Sequence, residues 1–262
     1  EVVRNLIPEL AELGVSTQLV TTSKGLTAGD ADLASASSTL VSRCWLSAWT
    51  FAPGLIPVLW RATKDADVVH VHSIHTFPST VAMLIGRLRR KPVFLQPHGA
   101  LNEYHLRKRG ALKRAYLRFV DGFGLKTVRG AIFSSTVEAA DGSRALNGLR
   151  ALSLPLGVDD QLFSLPRRAH DVPQIVFLAR LAHKKRLDLL LRALATDLML
   201  RRSWECVVAG PVDADLQFDP VQMLNELGLS HRVELTGEVG SARRADILSN
   251  ADIYVLASDD ES

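Results

Sequence analysis

The hydrophobic rhythm of this chain is what most restricts its fold. Short runs rich in Val, Ile and Leu alternate with stretches of helical length almost from end to end. The runs fall at 15–21, 68–71, 93–96, 131–134, 174–179, 206–209, 233–236 and 253–256, each the size of a buried strand. Between them, segments such as 79–90, 112–123, 138–146 and 242–248 are amphipathic at helical length. Strand and helix in alternation predict an α/β fold, with parallel sheets covered on both faces. With 262 residues, 47% of them hydrophobic, there is enough apolar material for two packed domains. Residues 166–173 begin and end in proline, are polar and lack any period, so they read as a linker. The expected organisation is one α/β domain over 1–165, the linker over 166–173, and a second α/β domain over 174–262.

The run at 174–179 passes directly into Arg180-Leu181-Ala182-His183-Lys184-Lys185, after which Leu187, Leu190, Leu191 and Leu194 recur at helical spacing. Two kinds of cation therefore stand where a strand hands over to a helix. That edge of an open α/β sheet is where ligands bind, and a helix amino terminus adds positive potential of its own. A guanidinium and an ammonium placed there could clamp a diphosphate, each charge-assisted bond contributing about 1.5–3 kcal/mol. The same residues also fit a solvated first turn. Spacing alone leaves both readings open.

Composition narrows the classes. A net charge of +3 argues against general nucleic-acid binding, but the charge is uneven: residues 86–118 hold ten Lys or Arg against one acid, Glu103. Within that stretch Arg107, Arg114 and Arg118 lie within about 40° on a helical wheel, opposite Leu112, Tyr116 and Phe119. This is either a solvated helix face or a surface drawn to anionic lipid, at about 1 kcal/mol per cation. Cys44 and Cys206 sit in separate halves and read as unpaired thiols of a reducing compartment. The expected location is the cytoplasm, with peripheral contact at the inner face of the membrane. Residues 44–60 carry no charge and hold Trp45, Trp49 and Trp60, but Pro53, Gly54 and Pro57 interrupt them. At seventeen residues the run is shorter than the roughly 20 a spanning helix wants, so it reads as a buried helix and turn.

Other candidates carry weaker signals. His98 follows a strand and precedes Gly99, whose missing side chain lets the backbone approach a ligand. A neutral imidazole there offers one donor and one acceptor. His70, His72 and His75 suggest a metal, yet no cysteine or carboxylate stands near enough to complete a zinc set, and none is assigned. Asp65-Ala66-Asp67 and Asp213-Ala214-Asp215 have Asp-x-Asp spacing, which arises often by chance among 28 acidic residues; neither is given a metal role, and Asp65 and Asp67 read as solvated acids at a helix-to-strand junction. No Gly-x-Gly-x-x-Gly follows any expected strand, which disfavours a nicotinamide-dependent oxidoreductase.

Several of these segments together resemble family 4 glycosyltransferases of the GT-B fold. Leu178 to Lys185 with Asp188 and Leu189 is similar to the family's donor-site motif. Pro155-Leu156-Gly157-Val158-Asp159 with Phe163 resembles its hinge-side signature, and Gln96-Pro97-His98-Gly99 its His-Gly loop. Val208-Ala209-Gly210-Pro211, Val233-Glu234-Leu235-Thr236-Gly237 and Ala251 to Leu256 follow in the family's order. Ser258 and Glu261 resemble the opening of its Glu-x7-Glu motif. Two departures stand out: Arg186 where many relatives have glycine, and Leu156 where they often have asparagine.

The resemblance implies two doubly wound, Rossmann-like domains, the first facing the acceptor and the second, incomplete here, holding the donor. It implies a retaining transfer of a sugar from a nucleoside-diphosphate-sugar to a saccharide or lipid-linked acceptor, in polysaccharide or glycolipid synthesis, without a cofactor. Arg180 and Lys185 would face the diphosphate, His98 and Glu261 the donor sugar, and Gly237 with Glu238 the nucleoside. Gly99 would serve the acceptor side and Gly157 the hinge. Arg186 would either assist the phosphates or point to solvent, and Asp259 and Asp260 would be solvated loop charges. The resemblance further implies an internal piece of a longer enzyme, because 1–13 already reads as the helix after a first strand and the second glutamate is absent. A non-catalytic nucleotide- or membrane-binding fragment is the alternative.

Overall fold

Parallel strands need a crossover between them, and helices of the right length stand at nearly every connection. The computed structural model describes residues 2–24, 38–101, 115–146, 148–158, 160–168 and 170–259. They divide into two compact units that separate between Gly157 and Val158.

The first unit opens with α1 (Val2–Glu12), then β1 (Gln18–Thr22) and β2 (Ser38–Ser42), paired in parallel from Gln18 with Ser38 to Thr22 with Ser42. After α2 (Leu55–Ala62) come β3 (Val69–His72), α3 (Phe77–Leu88) and β4 (Val93–Gln96). A π-turn, Leu117–Asp121, leads into α4 (Gly122–Leu125), followed by β5 (Val128–Phe133), α5 (Thr136–Ala145) and β6 (Ala151–Ser153). Strands β3, β4, β5 and β6 form one parallel sheet in that order. Val71, Val93, Leu95, Ala131 and Phe133 from its strands bury against Leu55, Leu59, Val81 and Met83 from the helices. Thr76 caps α3, accepting from the Ser79 N–H, and Pro78 fills a first-turn position that needs no donor.

In the second unit the elements are β7 (Gln174–Leu178), α6 (Leu187–Leu194), α7 (Asp197–Leu200), β8 (Glu205–Ala209), α8 (Pro220–Glu226), β9 (Val233–Gly237), α9 (Ser241–Ser249) and β10 (Ile253–Tyr254). The parallel sheet runs β10-β7-β8-β9. The chain steps outward from β7 to β9 and then returns to place β10 on the other side of β7. The strand order therefore reverses between β10 and β7, the kind of switch point beside which open α/β sheets bind ligands. Leu187, Leu190, Leu191 and Leu194 all face the core, as their helical spacing predicts.

The structure departs from the sequence reading at several places. β2 and β6 were not expected, because Ser38-Thr39-Leu40-Val41-Ser42 is mostly polar and β6 has only three residues. The tryptophan-rich run is not a buried helix and turn throughout: Ala52, Leu55 and Leu59 are buried, while Trp45 is 67% and Trp60 44% exposed. In the described part of the basic segment, the π-turn breaks the 100° phase on which the wheel rests. Phe119 is 78% exposed and lies beneath Arg118 rather than opposite it. Arg107 and Arg114 fall outside the described residues. The proline-flanked stretch hydrogen-bonds along α9, where Arg168 N–H donates to Ser249 O and the Ser249 hydroxyl to Pro166 O. The division into units accordingly falls earlier, at Gly157. Among the described residues no helix is long and apolar enough to cross a membrane.

Gly142, inside α5, packs flat on the buried Phe133 ring, and a Cβ there would overlap that ring. Alanine is the better helix former by about 1 kcal/mol, but overpacking a core costs about 1–3 kcal/mol. Gly142→Ala should therefore lower stability in urea unfolding; an increase would mean that the Phe133 ring has room to move.

Candidate active site

The carboxyl edge of the second sheet is built by close approach of three strand ends. Past β7, Ala179 N–H donates to Ala209 O (3.0 Å), Leu181 N–H to Pro211 O (2.8 Å), and Asp213 N–H back to Leu181 O (3.2 Å). Gly210, at φ 142°, lies so near that a Cβ would overlap the Ala179 carbonyl. Its own N–H donates to Gly237 O (2.8 Å), at the end of β9. Only glycine fits at 210, and the path of Arg180 depends on it.

Arg180 keeps 63% of its side chain in solvent and donates through Nη1 to Asp213 Oδ2 at 2.7 Å. Asp215 Oδ1 accepts from the His183 N–H (3.1 Å), at the start of the 3₁₀ turn His183–Lys185. The acids of Asp213-Ala214-Asp215 are thus not idle solvated charges: they hold the Arg180 loop. Lys185 stands half-buried at the end of the turn, its N–H donating to Ala182 O (2.9 Å).

Arg186 does something neither sequence alternative foresaw. It occupies the left-handed region at φ 52°, ψ 43°, the backbone geometry glycine adopts without cost. Its guanidinium grips Asp188 with two bonds of 3.0 Å and Asp259 with a third of 3.0 Å. Those partners raise the Arg186 pKa, and the same bonds hold the Asp188 carboxyl below its ordinary value. Asp259 also donates its N–H to Lys184 O (2.9 Å), so the segment after β10 is tied twice to the turn after β7. Asp259 is a clasp partner, not a free loop charge. Glu261, two residues on, lies outside the described residues, as does Asp260.

In the first unit, His98 and Gly99 follow β4 in consecutive left-handed conformations, φ 54° and 75°. Ser73 (φ 72°) and His75 (φ 63°) do the same after β3. Such conformations cost about 1–3 kcal/mol at non-glycine residues, persist only where the surroundings impose them, and cluster at functional sites. One source of constraint is Glu138, almost wholly buried, whose Oε1 accepts from the Gly99 N–H (2.5 Å). Its Oε2 accepts from the N–H (2.8 Å) and hydroxyl (2.6 Å) of Ser134. Sequence reading passed over Glu138, although Ser135-Thr136-Val137-Glu138 has capping-box spacing.

The His72 and His98 rings stack, and His70 lies tilted against His72. His72 Nδ1 and His98 Nε2 are 2.9 Å apart, and the His70 and His72 ring centroids 4.2 Å. One of the bonded nitrogens must donate and the other accept, so this contact needs an unprotonated nitrogen. Burial, reinforced by the neighbouring histidines, drives the His72 pKa down to about 3. Partial desolvation also lowers His70 and His98, although both side chains keep an exposed surface. In the same unit a chain of donors runs from Trp49 Nε1 to the Tyr116 hydroxyl (2.6 Å), on to Thr80 (2.8 Å) and to Asp121 (2.6 Å). Burial pushes Asp121 up to about 6.

The remaining candidates are scattered. Gly237 (φ 69°) and Glu238 end β9, both exposed. Gly157 is exposed, and a side chain there would meet open space, so local packing does not demand glycine. Among the described residues no group of three or more His, Cys, Asp or Glu could hold a metal ion.

Comparison with known proteins covers almost the whole chain. Residues 1–151 match the family model of the glycosyl transferase 4-like domain, and residues 160–262 that of the glycosyl transferases group 1. D-inositol 3-phosphate glycosyltransferase 1 of Catenulispora acidiphila is 28% identical over an alignment 227 positions long that covers 76% of this chain and 52% of that protein. The chain thus spans about half the length of this curated relative. Among solved structures, Anabaena Alr3699/HepE in complex with UDP and glucose gives a TM-score of 0.71 at 16% identity, over 97% of this chain and 69% of its own. A glycosyltransferase from Rickettsia africae ESF-5 gives 0.72 at 15% identity, over 98% and 68%. At such identity the two structures speak for the fold alone.

The histidine stack sets a pH dependence of known sign. A base with a lowered folded pKa stabilises the fold above its unfolded value, 6.5, and loses that contribution as pH falls toward about 3 for His72. Asp121 acts oppositely: its contribution is complete below 3.8 and is lost as pH rises through about 6. Replacing His72 by Gln removes only the first term. The melting-point advantage of the native chain over His72→Gln should therefore shrink between pH 7 and pH 4, values that bracket the unfolded histidine pKa of about 6.5. A constant difference would show that the stack is not held neutral.

Proposed function

Because the chain belongs to the glycosyl transferase 4-like family and has the GT-B fold, we propose that it is part of a retaining glycosyltransferase. The reaction is transfer of a sugar from a nucleoside-diphosphate-sugar to a hydroxyl of a saccharide or lipid-linked acceptor, in polysaccharide or glycolipid synthesis. The observation that carries this reading is the loop leaving β7, which brings Arg180 and Lys185 to the switch point of the second sheet. A guanidinium has five donors, and Arg180 commits one to Asp213 while most of its side chain stays in solvent. Donors remain for phosphate oxygens. Negative charge grows on the leaving diphosphate as the sugar departs, so cations fixed beforehand stabilise the transition state more than the ground state. Glu261 and His98 are assigned to the donor sugar, Gly237 and Glu238 to the nucleoside, and Gly99 to the acceptor side. UDP-containing complexes of HepE, a protein of the same fold, support a nucleotide-sugar donor.

Within this scheme Arg186 is a positioning residue, since its guanidinium is engaged by Asp188 and Asp259. Calorimetric titration with UDP, GDP, ADP and NAD is the direct test. One nucleoside diphosphate should bind and NAD should not. Arg180→Ala and Lys185→Ala should each lower transfer by the whole enzyme about 10²–10³-fold, as for lost oxyanion contacts, with Arg186→Ala less damaging. If Arg186→Ala were the worst of the three, the assignment of the diphosphate cations would be wrong. Nucleotide binding without transfer would favour the non-catalytic alternative.

A further inference from the structure

The first unit carries a second concentration of charge, away from the histidines. A cavity of about 730 Å³ is lined by five cationic residues, Arg87, Arg90, Lys91, Lys126 and Arg129, with no carboxylate in its wall among the described residues. Arg87, Arg90 and Lys91 come from the end of α3 and the turn before β4, Lys126 from the end of α4, and Arg129 from the start of β5. All therefore sit at the amino-terminal edge of the sheet, whereas His72 and His98 sit at its carboxyl edge. The two sites are separated by the length of a strand.

Helix carboxyl termini attract cations, and that explains Arg87, Arg90 and Lys126 one by one. It does not explain why two such ends and a strand converge on one hollow and leave it uncompensated. Among the described residues no ion pair joins any of the five to an acid. Arg87 lies over the Phe123 ring at 4.2 Å instead. Asp67 precedes Val69, whose strand partner Val93 starts at this edge, yet it forms no ion pair with them. Like charges gathered without counter-charge repel one another, and an anion in the hollow relieves that repulsion.

We propose that this cavity is a binding site for a ligand carrying two or more phosphate groups, distinct from the donor nucleotide. Its volume lies within the roughly 300–1,000 Å³ of small-molecule sites and exceeds what one phosphate fills. Three guanidinium forks can grip phosphate oxygens in pairs, and two ammonium groups add point charge. The phosphates can belong to a soluble oligophosphate or to the headgroup of an anionic lipid. The exposed Leu88 and Phe123 beside the cations suit the second source.

The test titrates inorganic tripolyphosphate into the chain and into Arg90→Glu/Lys126→Glu, with Arg90→Ala/Lys126→Ala as a milder variant should the first fail to fold. The native chain should bind tripolyphosphate, and the variants should bind at least roughly tenfold more weakly, as expected when two charge-assisted contacts are removed. Their affinity for the donor nucleotide should not change, which separates this site from the reading of Arg180 and Lys185. Flotation with vesicles of cardiolipin, whose headgroup carries two phosphates, or of phosphatidylcholine identifies the source. Capture by cardiolipin vesicles and not by phosphatidylcholine, lost in the variants, assigns a lipid headgroup; tripolyphosphate binding without capture assigns a soluble ligand. Absence of both, or tripolyphosphate binding undiminished in the variants, would overturn the proposal.

Discussion

The loop that carries Arg180 depends on one backbone contact. Gly210 lies against the Ala179 carbonyl so closely that any side chain would overlap it. That approach lets the segments after β7 and β8 go on hydrogen-bonding beyond the sheet proper, through Leu181, Pro211 and Asp213. Arg180 leaves the sheet on that extension, and Asp213, carried by the opposite segment, receives its guanidinium. The Lys185 turn and the Arg186 clasp build on the same path. The chemistry proposed for the two cations thus rests on a steric condition set by a residue with no side chain.

The first unit solves a similar problem with a charge. His98 and Gly99 are held left-handed after β4, and the buried Glu138 carboxylate receives the Gly99 N–H while anchoring itself to Ser134. A buried carboxylate that accepts three hydrogen bonds is satisfied, and breaking one would leave a charge partly unpaired in a dry environment. Beside it His72 stays neutral because burial and the neighbouring His70 and His98 disfavour a second proton. Neutral rings keep both a donor and an acceptor available, the form that suits hydroxyl recognition.

Much of the fold was legible in the sequence because parallel strands buried on both faces read as continuous apolar runs. β4, β7 and β8 are of this kind, and the leucines of α6 mark the core unambiguously. β2 and β6 escaped notice for the converse reason: they end their sheets and carry polar or few residues. Arg180, Lys185 and His98 could be named from motif order and their position after strands. The groups that hold them could not, since Asp213 lies 33 residues from Arg180 and Asp259 lies 73 from Arg186. Arg186 shows the limit well. A departure from glycine was visible, but its left-handed backbone and its two partners exist only in the folded chain.

The central claim is that the Ala179–Gly210 approach builds the diphosphate site, and a paired glycine substitution tests it most directly. Gly228 also has a positive φ, 69°, but a side chain there meets nothing within 4 Å, so Gly228→Ala carries backbone strain without the clash. The measurement is calorimetric affinity for the preferred nucleoside diphosphate, with circular dichroism to verify folding. The account predicts near-native binding by Gly228→Ala and a loss of at least roughly tenfold in Gly210→Ala, the size expected when a core backbone is displaced by overpacking. Equal affinity of the two variants would contradict it, because the Arg180 loop would then be in place without the contact on which its path was argued to depend.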